Sequence, residues 1–171
     1  MRRPGIRSAA AMLAILLPAA AKLAGDSQTR VGPPLEVRTP DGKVLQVRSL
    51  KGRVVVLDFM TTVCPSCRMA SAGLQKLYQE LGPKGFCPVG IALNVDAPPA
   101  LESYRREHRL TFTLGTAGRA SVLDYLQHPP EKPFYVPTLV LLDRQGRIRA
   151  IEVGWKGEEA LRTAVLKLLT K

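Results

Sequence analysis

Two cysteines separated by two residues, Cys64 and Cys67, are the side chains of this sequence best suited by type and spacing to covalent chemistry. A C-x-x-C pair can close a reversible disulfide, and its short loop makes it a weak structural crosslink. The first cysteine of such a pair attacks as a thiolate, and the second resolves the mixed disulfide that forms. The pattern therefore predicts thiol–disulfide exchange, with Cys64 as the attacking residue and Cys67 as the resolving residue.

The position of the pair supports this chemistry. An apolar run, Val54–Phe59, precedes the cysteines and is typical of a buried central strand. Apolar side chains then recur at helical spacing, at Cys67, Ala70, Leu74, Leu77, Tyr78 and Leu81. The pair should therefore lie at the N-terminus of a helix, where free N–H groups and the positive end of the helix dipole stabilise a thiolate.

One acidic residue, Asp58, interrupts the apolar run six residues before Cys64. Burial penalises an ionised carboxylate, so we expect the pKa of Asp58 to be raised. A protonated carboxyl beneath the pair could exchange a proton with Cys67 as the disulfide opens and closes. The alternative is an acid at the strand edge that reaches solvent or a lysine.

The third cysteine, Cys87, leaves other roles for the thiols open. With Cys64, Cys67 and His108 it could supply four zinc ligands, but structural zinc sites usually take their ligands in two close pairs. Because Cys87 and His108 are isolated in the sequence, we expect no metal site and interpret Cys87 as a packing residue. A static disulfide between Cys64 and Cys67 is a further alternative. No cofactor is expected beyond the redox-active disulfide itself.

The surrounding segments predict an α/β fold, with a mixed central sheet and helices on both faces. An N-terminal hairpin is expected from Leu35–Val37 and Val44–Val47, which flank a turn. Gly82 and Pro83 predict the end of the helix that begins at the cysteines. The other predicted strands are Pro88–Leu93, Thr138–Asp143 and Arg147–Val153, and the other predicted helices are Pro98–His108, Ser121–Gln127 and a last helix that begins near Glu158.

The first 24 residues have the pattern of a signal peptide. Three arginines precede the apolar run Ser8–Ala21, which is shorter than the roughly 20 residues that a spanning helix needs. We predict a signal peptide over residues 1–24, a linker over residues 25–34 and a single domain over residues 35–171. Export without stable membrane insertion follows from this prediction.

The composition argues against a nucleic-acid partner. The formal net charge is +11, and such a balance can favour polyanions. The basic residues are scattered, however, and aromatic residues make up only 5% of the chain, so neither a basic tract nor a stacking surface is evident. A hydrophobic content of 46% is instead typical of a globular domain.

Taken in order, these motifs resemble the thioredoxin superfamily, in particular its TlpA/ResA-like group from the bacterial cell envelope. The resemblance extends over residues 34–154 and depends on Asp58-Phe59, Cys64–Cys67, Gly90–Asp96 and Val136-Pro137-Thr138. It implies a thioredoxin-like three-layer sandwich and a periplasmic or otherwise exported enzyme. Such an enzyme would act as a monomer on protein dithiols or disulfides and would depend on an upstream redox partner.

The resemblance also implies that Pro137 follows a cis peptide bond and faces the cysteines. A proline cannot donate to a strand ladder, so Pro137 should lie at a strand start or a special turn. A cis bond there would expose the carbonyl and N–H groups of the flanking residues beside the cysteines, where they could bind an extended polypeptide. We therefore expect Val136, Pro137, Pro65 and Ser66 to contact the substrate.

The sequence departs from the family pattern at two positions. Val63 stands where tryptophan is usual, and Ala72 stands where proline is frequent. Both departures affect the expected choice of partner and the redox potential.

Two alternatives share the fold. Thr61, three residues before Cys64, resembles the peroxiredoxin signature, although Leu57 stands where that signature has proline. A peroxidase is therefore one alternative. A copper chaperone, which could add His128 to the two cysteines, is the other.

Overall fold

A computed structural model describes residues 30–94 and 97–170 of the 171-residue chain, so the predicted signal peptide lies outside the described residues. The strands are β1 (Arg30–Val31), β2 (Glu36–Arg38), β3 (Val44–Gln46), β4 (Val54–Met60), β5 (Phe86–Ala92), β6 (Thr113–Thr116), β7 (Thr138–Leu142) and β8 (Arg147–Val153). The helices are α1 (Pro65–Leu81), α2 (Ala97–Glu107), α3 (Arg119–Leu126) and α4 (Glu158–Leu169). Among the described residues, no helix combines the length and apolar character needed to cross a membrane.

The strands form one sheet in the order β1-β8-β7-β4-β5-β6-β2-β3. Strands β4, β5 and β6 run parallel, whereas β7 and β8 pair antiparallel with their neighbours. The predicted hairpin, β2–β3, joins the edge of β6 through the pair Arg38–Thr116. The mixed sheet and the N-terminal hairpin are therefore confirmed.

Helices cover both faces of the sheet, as predicted. Along β4, Val54, Val56 and Met60 point into a cluster built with α1, α2 and α4. Val55, Leu57 and Phe59 point the opposite way, toward α3 and toward Leu35 and Val37 in and beside β2. Because β4 is covered on both faces, all seven of its residues are buried. Two buried clusters on one sheet make the three layers of the sandwich.

Part of the segment predicted as a linker, residues 25–34, forms a strand in the structure. Arg30 and Val31 pair with β8 as strand β1. The Arg30 guanidinium also donates a hydrogen bond of 2.9 Å to the backbone carbonyl of Tyr125. Gly32 is buried against the Tyr125 ring, where a Cβ atom would have no room. This contact was not predicted because Gly32, Pro33 and Pro34 are residues typical of turns and linkers.

Strand β6 was not predicted because its sequence, Thr-Leu-Gly-Thr, is short and weakly apolar. Pairing with β5 stabilises this strand, because its own residues have little strand propensity. Gly115 allows the hairpin to dock, since a Cβ atom there would lie 2.7 Å from the Arg38 carbonyl oxygen.

Helix α1 ends at Leu81, directly before Gly82 as predicted, but Gly82 lacks the left-handed conformation typical of a glycine that ends a helix. Gly82 keeps a right-handed conformation, with φ −53°, and the chain continues through a 3-10 turn at Gly82–Lys84. Pro83 suits the start of this turn, because its missing N–H is not needed there. The left-handed residue that reverses the chain is Gly85, with φ 98°.

Candidate active site

The cysteine pair lies where the central strand β4 passes into α1. Cys64 is the N-cap of α1, with φ −85° and ψ 120°, and its sulfur accepts a hydrogen bond of 3.2 Å from the backbone N–H of Cys67. Pro65 occupies the first helical position, where its fixed φ fits and no N–H is required. The local sequence therefore directs one helical N–H group onto the Cys64 sulfur.

The Cys64 thiol is only partly buried, and its surroundings favour the thiolate. Burial alone would raise its pKa, but hydrogen bonds from Cys67 and Ser66 outweigh this effect and lower the pKa of Cys64 below its ordinary value. The Ser66 hydroxyl lies 3.2 Å from the Cys64 sulfur. Cys64 can therefore ionise at a lower pH than a free cysteine.

Cys67 has the opposite character. Its side chain is fully buried, and burial together with its hydrogen bond to Cys64 raises the pKa of the Cys67 thiol far above the ordinary range. Cys67 must therefore lose a proton to a base before it can act as a nucleophile. This difference in pKa between the two thiols is the asymmetry that an attacking and a resolving cysteine need.

Asp58 lies in the middle of β4, on the same face as Val56 and Met60, which pack toward α1. Burial raises the pKa of Asp58 to about 7, and the Ser71 hydroxyl acts in the opposite direction. Within the described part of the chain, neither carboxylate oxygen has a hydrogen-bond partner. The negative charge of Asp58 in turn raises the pKa of Cys67. A proton acceptor with a near-neutral pKa thus lies within electrostatic reach of the thiol that needs one.

The loop before β7 approaches the pair from the other side. The Val136–Pro137 peptide bond is cis, which confirms the conformation expected from the family resemblance. The Val136 carbonyl oxygen lies 3.9 Å from the Cys64 sulfur. Pro137 itself is buried, and its carbonyl accepts a 2.8 Å hydrogen bond from the Gly154 N–H. Val136 therefore presents a backbone acceptor beside the attacking sulfur, and contact of Pro137 with a substrate stays a prediction.

Two large side chains near the pair are exposed. Val63, at the position where the family usually has tryptophan, is 68% exposed, and Tyr135 is 65% exposed. Pro65 is also exposed, and Ser66 and Val136 are half-buried. Tyr135 was missed in the sequence because nothing in its local pattern distinguishes it from a loop residue.

An amide side chain fixes the loop between β4 and Cys64. Asn94, just after β5, accepts a 3.2 Å hydrogen bond from the Thr62 N–H and donates one of 3.0 Å to the Thr62 hydroxyl. Both bonds join the carboxyl ends of two parallel strands. They hold the backbone two residues before the attacking sulfur.

Cys87 lies outside the site. It pairs with Val55 near the start of β4 and packs in the cluster on the opposite face of the sheet. The described residues contain no group of three or more His, Cys, Asp or Glu side chains that could hold a metal ion. The zinc set with Cys87 and His108, and the copper set with His128, are therefore not assembled in this part of the chain.

Two hydroxyl groups near Asp58 were not identified from the sequence. Ser71 and Tyr104 are buried, and the Tyr104 hydroxyl donates a hydrogen bond of 3.0 Å to the Ser71 hydroxyl. Ser71 follows Cys67 by four residues and therefore lies on the same face of α1. Ser71 could have been identified from the sequence as a polar residue within the apolar stripe of α1.

Comparisons with known proteins agree with this geometry. Residues 30–151 match the sequence profile described as the AhpC/TSA family. The thiol-disulfide oxidoreductase ResA of Halalkalibacterium halodurans is 27% identical over 120 residues, which cover 70% of this chain and 64% of that protein. The chain thus spans slightly less than two thirds of this relative.

A second relative and a solved structure extend the comparison. A Coxiella burnetii protein named provisionally as the peroxiredoxin bcp is 30% identical over 77 residues, which cover 44% of this chain and 50% of that protein. The crystal structure of a thiol:disulfide interchange protein of the thioredoxin family from Chlorobium tepidum has a TM-score of 0.73, with 24% identity. The superposition covers 84% of this chain and 99% of that one, which confirms the thioredoxin-like fold.

Proposed function

This chain belongs to the AhpC/TSA family, and we propose that it is a thiol–disulfide oxidoreductase that exchanges disulfides with protein substrates through Cys64 and Cys67. The proposal depends on one observation, the difference in exposure and in pKa between the two cysteines. Cys64 is accessible, with a lowered pKa, whereas Cys67 is buried, with a raised pKa. The name of the ResA relative supports the same activity.

Exchange begins when the Cys64 thiolate attacks one sulfur of a substrate disulfide. A bond forms between Cys64 and that sulfur, the substrate disulfide breaks, and the second substrate sulfur leaves as a thiolate. Cys67 then gives its proton to Asp58 and attacks the Cys64 sulfur. The Cys64–Cys67 disulfide forms, and the first substrate sulfur is released. An upstream dithiol reduces the pair for the next cycle, and the reverse sequence oxidises a substrate dithiol.

The surface beside Cys64 suits an extended polypeptide. The Val136 carbonyl offers a backbone acceptor 3.9 Å from the attacking sulfur. Pro65 and Ser66 border the other side, and the exposed Val63 and Tyr135 add apolar area. We assign substrate contact to these residues because a backbone acceptor with apolar neighbours can bind many sequences.

Peroxide reduction is the second candidate, favoured by the bcp relative and by the position of Thr61. The two functions can be separated with the purified protein. We expect catalytic reduction of insulin disulfides with dithiothreitol as electron donor, and no catalytic consumption of hydrogen peroxide with the same donor. Peroxide turnover without insulin reduction would assign the peroxidase function instead.

We further propose that the mature protein is exported to the bacterial envelope and acts there as a monomer. The N-terminal pattern of arginines followed by a short apolar run supports export. Intact-mass analysis of protein recovered from the envelope of the native host should give a chain that lacks residues 1–24 or nearly so. Recovery of a chain that retains Met1 would contradict cleavage.

A further inference from the structure

A buried pair of hydroxyl groups connects α1 and α2 beside the cysteine site. Ser71 is 1% exposed and Tyr104 is 3% exposed, and their oxygens lie 3.0 Å apart. Tyr104 is the donor in this bond, so the hydrogen of the Ser71 hydroxyl is not used in it. A buried hydroxyl hydrogen without an acceptor is costly, and it will orient toward a nearby acceptor.

The acceptor that lacks partners is Asp58. Both of its oxygens are buried, and neither has a hydrogen-bond partner among the residues described. The Ser71 hydroxyl is the group that opposes the effect of burial on the pKa of Asp58. Ser71 and Cys67 lie one turn apart on α1, so the hydroxyl and the thiol face the same part of β4.

We propose that Ser71 and Tyr104 are positioning residues that stabilise ionised Asp58 as the proton acceptor for Cys67. When Asp58 is ionised, a small shift of the Ser71 side chain lets its hydroxyl donate to the carboxylate, and the hydrogen bond from Tyr104 polarises Ser71 and strengthens that donation. The proton of the Cys67 thiol moves to Asp58 while the Cys67 sulfur bonds to the Cys64 sulfur, the mixed disulfide breaks and the substrate sulfur leaves as a thiolate. The role in exchange rests on the proposed function, whereas the effect of the hydroxyls on Asp58 does not.

Other titratable groups lie near this cluster on α1 and just after α2. Cys64, Cys67 and Arg68 come from α1, and the charge of Arg68 lowers the pKa of Tyr104. Immediately after α2, the His108 ring lies against the Tyr104 ring, with 4.4 Å between the ring centroids. Burial is the larger influence and raises the pKa of Tyr104 to about 12, so Tyr104 stays protonated and remains a donor at neutral pH.

Titration of the Asp58 carboxyl carbon by NMR in the reduced protein tests this proposal directly. Loss of a donor to the charged form raises a carboxyl pKa. We expect the Asp58 midpoint to rise by about one pH unit in Ser71→Ala, as the loss of one hydrogen bond implies, and by a smaller amount in Tyr104→Phe. The matched control is Tyr125→Phe, a buried tyrosine on the opposite face of the sheet, which should leave the midpoint unchanged.

The rate of mixed-disulfide resolution provides a second readout. The midpoint of its pH profile should shift to higher pH together with the NMR midpoint in both variants. In an Asp58→Asn background, neither substitution should shift the profile. An unchanged Asp58 midpoint in the folded Tyr104→Phe and Ser71→Ala proteins would overturn the proposal, as would an equal shift in Tyr125→Phe. Tyr104→Phe keeps the ring and carries the test if Ser71→Ala does not fold. Absence of exchange activity would reject the proposed function, but the titration would still decide this inference.

Discussion

Replacing Cys64 with serine is expected to reduce the exchange of protein disulfides to the uncatalysed rate. Serine keeps the N-cap of α1, because its oxygen can also accept from the Cys67 N–H, so the fold should be preserved. It removes the thiolate, and Cys67 cannot replace it because Cys67 is fully buried with a raised pKa. Insulin reduction with dithiothreitol measures the loss, and thermal melting verifies folding.

The matched control for this variant is Cys87→Ala, which should keep exchange near the wild-type rate. Cys87 pairs with Val55, five residues before the end of β4 at Met60. At about 3.3 Å per residue this places it roughly 17 Å along the strand from the active-site end. Retained activity in Cys64→Ser would contradict the assignment of the attacking cysteine. Lost activity in a folded Cys87→Ala protein would show that the third cysteine takes part.

The second large effect is expected from Asp58→Asn. An amide cannot accept the Cys67 proton, so exchange should slow by about tenfold to a thousandfold, the range of general acid–base catalysis. The wild-type rate should increase with pH as Asp58 ionises near pH 7, and the variant should lack this component. Stopped-flow measurement of mixed-disulfide resolution across pH tests both expectations. Equal rates at every pH would remove Asp58 from the mechanism.

The same substitution should change how stability depends on pH. Burial raises the pKa of Asp58 from 3.8 to about 7, so between these values the folded state retains a proton that the unfolded state releases. Wild-type stability therefore falls as pH rises through this window, by an amount on the order of 4 kcal/mol. Asparagine does not titrate, so the stability of the variant relative to wild type should increase from pH 4 to pH 8. Urea unfolding at several pH values measures this difference.

Asp143→Asn is a control variant whose stability at neutral pH should change in the direction opposite to that of Asp58→Asn. Although burial acts to raise it, hydrogen bonds from Arg147 and the charge of that side chain lower the pKa of Asp143. An acid with a lowered pKa stabilises the folded state above its unfolded pKa, so this variant should be destabilised at neutral pH. It should leave the exchange rate unchanged because Asp143 lies in the turn between β7 and β8. Stabilisation of both variants at pH 8 would contradict these pKa directions.

The sequence predicted the parts of the site that depend on local pattern. The buried run with Asp58, the cysteines at a helix start and the amphipathic stripe of α1 each follow from residues close together in the chain. Strand β6 and residues 30–31 escaped prediction because their order comes from pairing with distant strands. Local propensity carries little information about such short segments.

The Ser71–Tyr104 pair escaped prediction for a related reason. Their hydrogen bond joins residues 33 positions apart and depends on how α2 docks against α1. The expected contact of Pro137 with the substrate stays a prediction, and the neighbouring Val136 carbonyl lies 3.9 Å from the Cys64 sulfur.

Trapping with the Cys67→Ser variant tests the central claim most directly, which is that Cys64 attacks and Cys67 resolves. Mixed with a disulfide-containing protein substrate, the variant should accumulate a stable mixed disulfide, because no thiolate is available to release the substrate. Peptide mass spectrometry should place the adduct on Cys64. An adduct on Cys87, or no adduct under conditions where the wild-type protein reduces the same substrate, would contradict the account.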